Sequence, residues 1–328
     1  ILTGPCWRLG ISCINKRKRC LVKLSTRSTA LALVEVVMGN PNGDPDFDGR
    51  PRVITDGRGF MTDVSMKHKF RRLFDNHETE TFAELQKLVN MPEETLHICE
   101  SMGRGSPHTD PQAAIKWMRD FLAKEGEDAF IQRYLDIRLF GTTLLLQDSE
   151  DGKKKKADKE EGDAVRLKKT GPVTFSPALS IAPIYIGEQT ITKMATGRDA
   201  LLEKDASDMA PGAKKFVEHG VYAFKIVVNP HVALPTKTTE EDIKALKTSL
   251  KHIFNLNGSC SRPVGSMNFV HIWWADHDNS LGSFNEFDFF NHLMPTKIEN
   301  PKDPSSTLSE YHFPTPDGLA MKVTDLAR

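Results

Sequence analysis

Between residues 50 and 72 the chain sets out Arg50, Arg52, Arg58, Lys67, Lys69, Arg71 and Arg72, with His68 among them. Guanidinium groups offer forked donors that match phosphate oxygens, and lysines act as mobile point charges. Lys67 and Arg71 stand four residues apart, as do His68 and Arg72, so a helix would line up each pair on its surface. The chemistry such a set can do is sequence-independent contact with a nucleic-acid backbone. In "NGSCSRPVGS" (257–266), Arg262 adds a cation to a loop whose Gly258 and Gly265 allow close backbone approach. The plainer readings of the same residues are a solvated helix face and a tight connection.

Other residue types point to chemistry less well. Asp44, Asp46, Asp48 and Gly49 spell D-x-D-x-D-G, but an EF-hand loop needs a bidentate Glu at its twelfth position, where Thr55 stands. Pro45 and Pro51 also interrupt it, and no helix precedes it. Cys6, Cys13 and Cys20 are spaced by seven, unlike zinc ligands, which usually pair two to four residues apart. His271 and His277, with Asp276 and Asp278, form a loose cluster that reads as surface residues. There is no phosphate-binding P-loop motif, nucleophile elbow or paired-histidine zinc helix. No catalytic residue, metal site or cofactor is expected.

The elements that must position the cations can be read around them. "ALALVEVV" (30–37) is strand-like and runs straight into "NPNGDPDFDGRPR" (40–52), whose prolines, glycines and asparagines suit only an elaborate loop. "TDVSMKHKFRRLF" (62–74) places Met66, Phe70, Leu73 and Phe74 on one helical stripe, with Thr62 as N-cap and Asp63 in the first turn. Residues 80–139 read mainly as helices. "VTFSPALSI" (173–181), "VYAFKIVV" (221–228) and "MNFVHIWW" (267–274) read as strands.

A second amphipathic helix follows Thr238, which with Glu241 has capping-box spacing. Trp273 and Trp274 are consecutive on a strand and must face opposite sides, one in the core and the other free for an interface or a base. Insertions aside, the order strand, helix, strand, strand, helix, strand is the α+β, ferredoxin-like split βαβ pattern of RNA-recognition domains.

Bulk properties narrow the classes further. The 328 residues are 39% hydrophobic and 27% charged with zero formal net charge, so any nucleic-acid role rests on charge placement. No apolar run approaches the roughly 20 residues of a membrane span, and five scattered cysteines argue for a reducing compartment. Residues 1–29 carry seven Lys and Arg residues and no acid, and read as a flexible basic extension. Residues 147–169, with Lys153–Lys156, read as a mobile charged loop.

Taken together, "GNPNGDPDFDGRPR" (39–52) and "GRGFMTDVSMKHKFRR" (57–72) resemble the signature of the CRISPR-associated Cascade backbone subunit. This is the seventh Cas protein family of the RAMP superfamily, and the likeness is to its subtype I-B and I-C branch. "DIRLFGTTL" (136–144), "GPVTFSPALSIAPI" (171–184), "TITKMAT" (190–196), "HGVYAFKIVVN" (219–229) and "DNSLGSFNEFDFF" (278–290) extend the likeness in order over roughly residues 30–290. The family commonly has arginine where His68 stands, and its pattern includes neither residues 1–29 nor the lysine-rich loop.

The resemblance implies a hand-shaped molecule. An RNA-recognition-like palm (30–55, 171–186 and 219–290) would carry a helical finger insertion (56–170) and a β-hairpin thumb (187–218), followed by a C-terminal segment (291–328). The 62–74 helix would pack as part of the palm. It implies a non-catalytic, cytoplasmic prokaryotic subunit of a type I surveillance complex in antiviral defence. Copies would stack head-to-tail along a CRISPR RNA, pair the guide with target DNA, and meet Cas-five-type and large Cascade subunits.

The expected RNA contacts are Arg50, Arg52, Lys67, Lys69, Arg71 and Arg262, with Thr192, Lys193 and Met194 from the thumb and Met194 as the wedge beside a displaced base. The rival reading is a metal-dependent, target-RNA-cleaving subunit like those of type III complexes, using Asp44, Asp46 or Asp48.

Overall fold

The computed structural model describes residues 23–101, 103–146, 165–193, 210–256 and 258–328. Lys153–Lys156, Met194 and residues 1–22 lie outside the described residues, and so do the side chains of Thr192 and Lys193. The chain is packed on the sheet layer before the expected palm boundary at residue 30. Leu24 is buried, Arg27 Nε lies 2.6 Å from Glu286 Oε1, and β1 (Ser28–Gly39) starts at once, so residues 23–29 are docked chain and not a flexible extension.

β1 is buried on both faces for most of its length, which explains why "ALALVEVV" is a continuous apolar run without alternation. The elaborate loop contains the short pair β2 (Gly43–Asp44) and β3 (Arg50–Pro51). After β4 (Arg58–Met61), helix α1 (Asp63–Arg71) is capped by Thr62 Oγ1, which accepts Ser65 N–H at 3.1 Å. Met66, Phe70, Leu73 and Phe74 all enter the main core. Full burial of each is worth about 1.5–3 kcal/mol, which fixes the helix roll.

An insertion follows, built from α2 (Glu80–Val89), α3 (Pro111–Arg133, kinked at Gly126) and α4 (Leu135–Phe140) with the hairpin of β5 (Gly141–Leu146) and β6 (Val165–Thr170). Its own core holds Met118, Phe130, Ile131, Tyr134, Leu146 and Leu167. β6 corrects the expectation of a loop at residues 165–169, while 147–164 lie outside the described residues. Leu167 lies opposite Leu144, and its buried side chain is enough to seat a strand that looked merely charged.

The remaining elements are β7 (Val173–Phe175), β8 (Ala178–Pro183), β9 (Ile186–Lys193), β10 (Ala210–Val228), α5 (Glu240–Leu250), β11 (Met267–Asp276), α6 (Glu286–Leu293), β12 (Thr296–Lys297), β13 (Tyr311–His312) and β14 (Val323–Asp325). The expected strand over 173–181 is thus two, parted at Ser176 and Pro177. The main sheet is antiparallel in the order β14-β11-β1-β10-β8-β4, with β7 and β9 also paired to β10. The central strands β11, β1, β10 and β8 therefore stand fourth, first, third and second along the chain, with α1 and α5 on one face.

The cap of α5 is Thr239 with Asp242, one residue later than Thr238 with Glu241. Thr239 N–H donates to Asp242 Oδ2 at 2.9 Å, while the Thr238 hydroxyl is spent on the Arg138 carbonyl. Trp274 packs on the helical face and Trp273 on the other, among Leu31, Leu33, Phe289, Phe290 and Leu293. Trp274 is closed into the core, and α6 and the C-terminal segment cover all but an edge of Trp273, which lines a cavity with Phe313.

The two strand histidines are not surface residues either. His277 is 2% exposed and bonds the Thr29 hydroxyl at 3.0 Å, and His271 Nδ1 meets Asp325 Oδ2 at 2.7 Å while stacking on Trp273.

Candidate nucleic-acid interface

The site begins with the loop leaving β1. Asn40 turns the chain by donating its Nδ2 to the carbonyls of Gly49 (2.7 Å) and Lys215 (3.3 Å). Asn42 Oδ1 accepts Thr62 N–H at 2.9 Å, which ties the loop to the start of α1. Asp44 accepts Asp46 N–H and lies 3.3 Å from Arg52, and Asp48 lies 2.9 Å from Lys215. That lysine's hydrogen bond and charge hold the Asp48 carboxyl below the usual range. Gly43 and Gly49 are required here: a Cβ on Gly43 would stand 2.9 Å from the Gly49 carbonyl, and Gly49 has φ of 69°. The acids therefore build the turn. Among the described residues no three His, Cys, Asp or Glu side chains are grouped to hold a metal ion.

α1 divides its cations between two sides. Lys67 Nζ lies 3.0 Å from Asp63 and faces the ring of Phe140 at 5.9 Å. Arg71 is 6% exposed, with Nε 3.1 Å from Asp136 Oδ2 and a second nitrogen 2.9 Å from Glu100. Asp136 also accepts the backbone N–H groups of Cys99 and Glu100, so Arg71 ties α1 to the insertion. Both cations line a groove of about 360 Å³ with Thr142, Thr143 and Lys169. The plainer reading of a solvated helix face does not hold for Arg71 and Lys69, which point inward, where carboxylates and carbonyls receive them.

Lys69, only 2% exposed, takes the other side and donates to the Pro41 carbonyl at 2.9 Å and the Ser65 hydroxyl at 2.6 Å. Burial, followed by the positive charge of Arg262, pushes its ammonium down to about 7. Arg262 is itself lowered by burial and then by Arg72, and His68 by burial and then by Arg72, Lys69 and Arg71.

Loop 257–266 reaches this position because it docks on the end of β1. Asn40 N–H donates to the Ser261 carbonyl at 2.8 Å, and Val37 N–H to the Ser266 carbonyl at 2.8 Å. Gly39 permits the contact, since a Cβ there would lie 2.7 Å from Ser266 Oγ. The fold thus gathers Lys69, Arg72 and Arg262 beside the opening loop, where like charges raise one another's cost. An anionic ligand relieves that cost.

Of the expected contacts, Lys69 and Arg262 are brought together. Arg50 is exposed on the opening loop, and Arg52 sits there with a buried Nε that has no hydrogen-bond partner. Lys67 and Arg71 lie in the separate groove. Arg72, exposed at the end of α1, is the residue that sequence reading undervalued; its spacing from His68 was visible, but its proximity to Arg262 was not.

The family described as "CRISPR-associated protein Cas7" matches residues 26–315. The chain is 27% identical over 246 residues to the CRISPR-associated protein Cas7 of Haloferax volcanii, covering 68% of this chain and 62% of that relative, so it spans less than two thirds of the relative's length. It is also similar to a chain of a solved structure titled "CRISPR RNA-guided surveillance complex, pre-nicking", at 15% identity and a TM-score of 0.42 over 76% of this chain and 78% of that one. A chain titled "CRISPR RNA-guided surveillance complex" matches at 14% identity and a TM-score of 0.40, over 76% of this chain and 69% of that one.

Proposed function

The chain belongs to the CRISPR-associated Cas7 family, and on that premise we propose that it is the CRISPR RNA-binding backbone subunit of a type I surveillance complex. The observation that carries the reading is the docking of the Arg262-bearing loop on the end of β1, through Asn40 and Val37, beside the 40–52 loop to which Lys69 is tied at Pro41. Arg262 with the exposed Arg50 and Arg72 suits a phosphate backbone, and the guide's bases remain to read target DNA by pairing.

In this reading the central sheet with α1 and α5 is the RNA-recognition-like palm, which the strand order supports. The insertion from residue 56 to 170 is the finger, and the β9–β10 hairpin belongs to the thumb, whose RNA contacts are Thr192, Lys193 and Met194. Arg50, Arg52 and Lys67 extend the phosphate track. Copies stack head-to-tail along the guide, with Cas-five-type and large subunits at its ends, in the prokaryotic cytoplasm. The engagement of Asp44 and Asp48 with Arg52 and Lys215 supports a subunit that positions RNA and does not cut it.

The test is to purify the complex from cells carrying its CRISPR array and sequence the bound RNA. A uniform spacer with repeat-derived flanks is expected. RNA-free protein, folded and co-expressed with its partners, would overturn the reading.

A further inference from the structure

Phe47 stands at the tip of the opening loop, 69% exposed. A single exposed apolar residue is ordinary, but this one is mounted on a braced turn. Asp44 caps the turn, Gly49 N–H returns to the Asp44 carbonyl at 2.8 Å, Asn40 holds the Gly49 carbonyl, and Lys215 holds Asp48. The ordering cost of presenting the ring is thus met before any partner arrives, which is what makes a protruding aromatic an effective anchor. Asp48 beside the ring is neutralised by Lys215, but the Asp46 carboxylate next to it repels a phosphate backbone, so a protein partner is favoured over a stacked base.

A receiving surface exists on the same chain. A cavity of about 400 Å³ opens between β11, β14 and the segment after β13. Its walls are Trp273, the His271 ring stacked on it, Phe313, Pro314 and Pro316, and Arg328 stands at its rim with a 77% exposed side chain whose Nε lies 3.4 Å from Asp325 Oδ2. Asp325 at its base is already occupied, accepting His271 Nδ1 and the N–H groups of Ile272 and Ala327. The groove beside Lys67 is a poorer host for a ring, because Thr142, Thr143 and Thr170 line it together with the charged Lys67, Arg71, Glu100 and Lys169.

We propose that Phe47 of one copy docks into the Trp273–Phe313 cavity of the next, with Asp46 facing Arg328. The knob lies past the end of β1 at Gly39, whereas the cavity lies beside β11 residues paired with Leu31 and Leu33. Knob and cavity are therefore different surfaces, and the contact is heterologous and repeats in one direction. The inference rests on the head-to-tail reading above and adds the contact that sets its direction.

The test places the photo-crosslinker p-benzoylphenylalanine at position 47 in the complex co-expressed with its array. Irradiation is expected to give a denatured species of two chain masses, whose linked peptide comes from residues 271–273 or 313–328. A link to RNA, to another polypeptide or to any other segment would overturn the inference, as would no link in a preparation carrying multi-copy, RNA-loaded assemblies. Phe47→Ser is expected to leave binding of a short oligonucleotide unchanged while lowering multi-copy assembly on a full-length guide by about tenfold or more, as for loss of one anchoring aromatic. Unchanged assembly would sink the knob alone. Absence of short-oligonucleotide binding in the unmodified complex would sink the RNA reading itself.

Discussion

Arg138 and Asp242 meet at 2.9 Å with both side chains 1% exposed, joining α4 of the insertion to α5 of the central sheet layer. Arg138 also donates to the carbonyls of Thr95 and Gln132, and Asp242 at the same time closes the capping box with Thr239. One carboxylate thus serves both a helix start and a link between layers. Asp242→Ala leaves a guanidinium buried without its charge partner, at a cost of about 3–5 kcal/mol. The urea midpoint, followed by circular dichroism, should fall accordingly. Thr239→Ala, which removes only the cap, should cost about 1 kcal/mol.

Arg71 and Arg72 are neighbours with different duties. Arg71→Ala strands the buried carboxylate of Asp136 and should lower stability by about 3–5 kcal/mol. Arg72→Glu, on an exposed side chain, should change stability by less than about 0.5 kcal/mol and reduce RNA retention. Parallel melting curves and RNA-retention assays on the two variants separate these roles.

If Arg72 and Arg262 each neutralise a phosphate, replacing either by alanine should reduce the slope of log affinity against log salt by about 0.7, the single-strand value per phosphate. Affinity should fall similarly for unrelated oligonucleotide sequences. A variant slope equal to that of the parent chain would remove that residue from the phosphate track.

The His97 ring stacks on His77 at 4.4 Å, and burial, with help from Arg133 and His77, pushes its pKa down to about 3. Between pH 6.5 and 3 the unfolded chain binds a proton that the folded chain refuses, so stability falls as pH drops through that window. His97→Gln should flatten this part of the stability–pH curve. Denaturant midpoints from pH 7 down to 4 measure it.

With guide, complementary RNA and Mg²⁺ present, the complex should leave the RNA intact, because Asp44 and Asp48 are engaged in the turn. A regular ladder of cut products that disappears in Asp44→Ala, Asp46→Ala or Asp48→Ala would reverse this expectation.

Local signals carried the fold well where partners are near in sequence. The Thr62 cap and the Met66, Phe70, Leu73, Phe74 stripe needed only helical spacing, and β1 needed only its apolar run. Burial of Lys69 and Arg71 was illegible because their partners, at Pro41, Asp136 and loop 257–266, are brought close only by the tertiary fold. Lysine density hid β6, since one inward leucine was the whole signal. The two tryptophans misled because alternation says that they face opposite ways and says nothing of what covers each side. Asn40 and Asn42 read as turn formers, and only the structure assigned their amides to the particular bonds that shape the candidate site.

β10 is paired with β9 over residues 210–217 and with β1 over 217–228, so one unbroken strand runs from the hairpin into the middle of the sheet. Mechanically this is a cantilever rooted in the core. A load applied to the hairpin cannot be absorbed at a hinge between the two pairings, because Val217 belongs to both. It must bend a central strand packed on both faces, which close packing resists. The described base of the hairpin, residues 186–193 and 210–217, is therefore held at a fixed angle to the sheet.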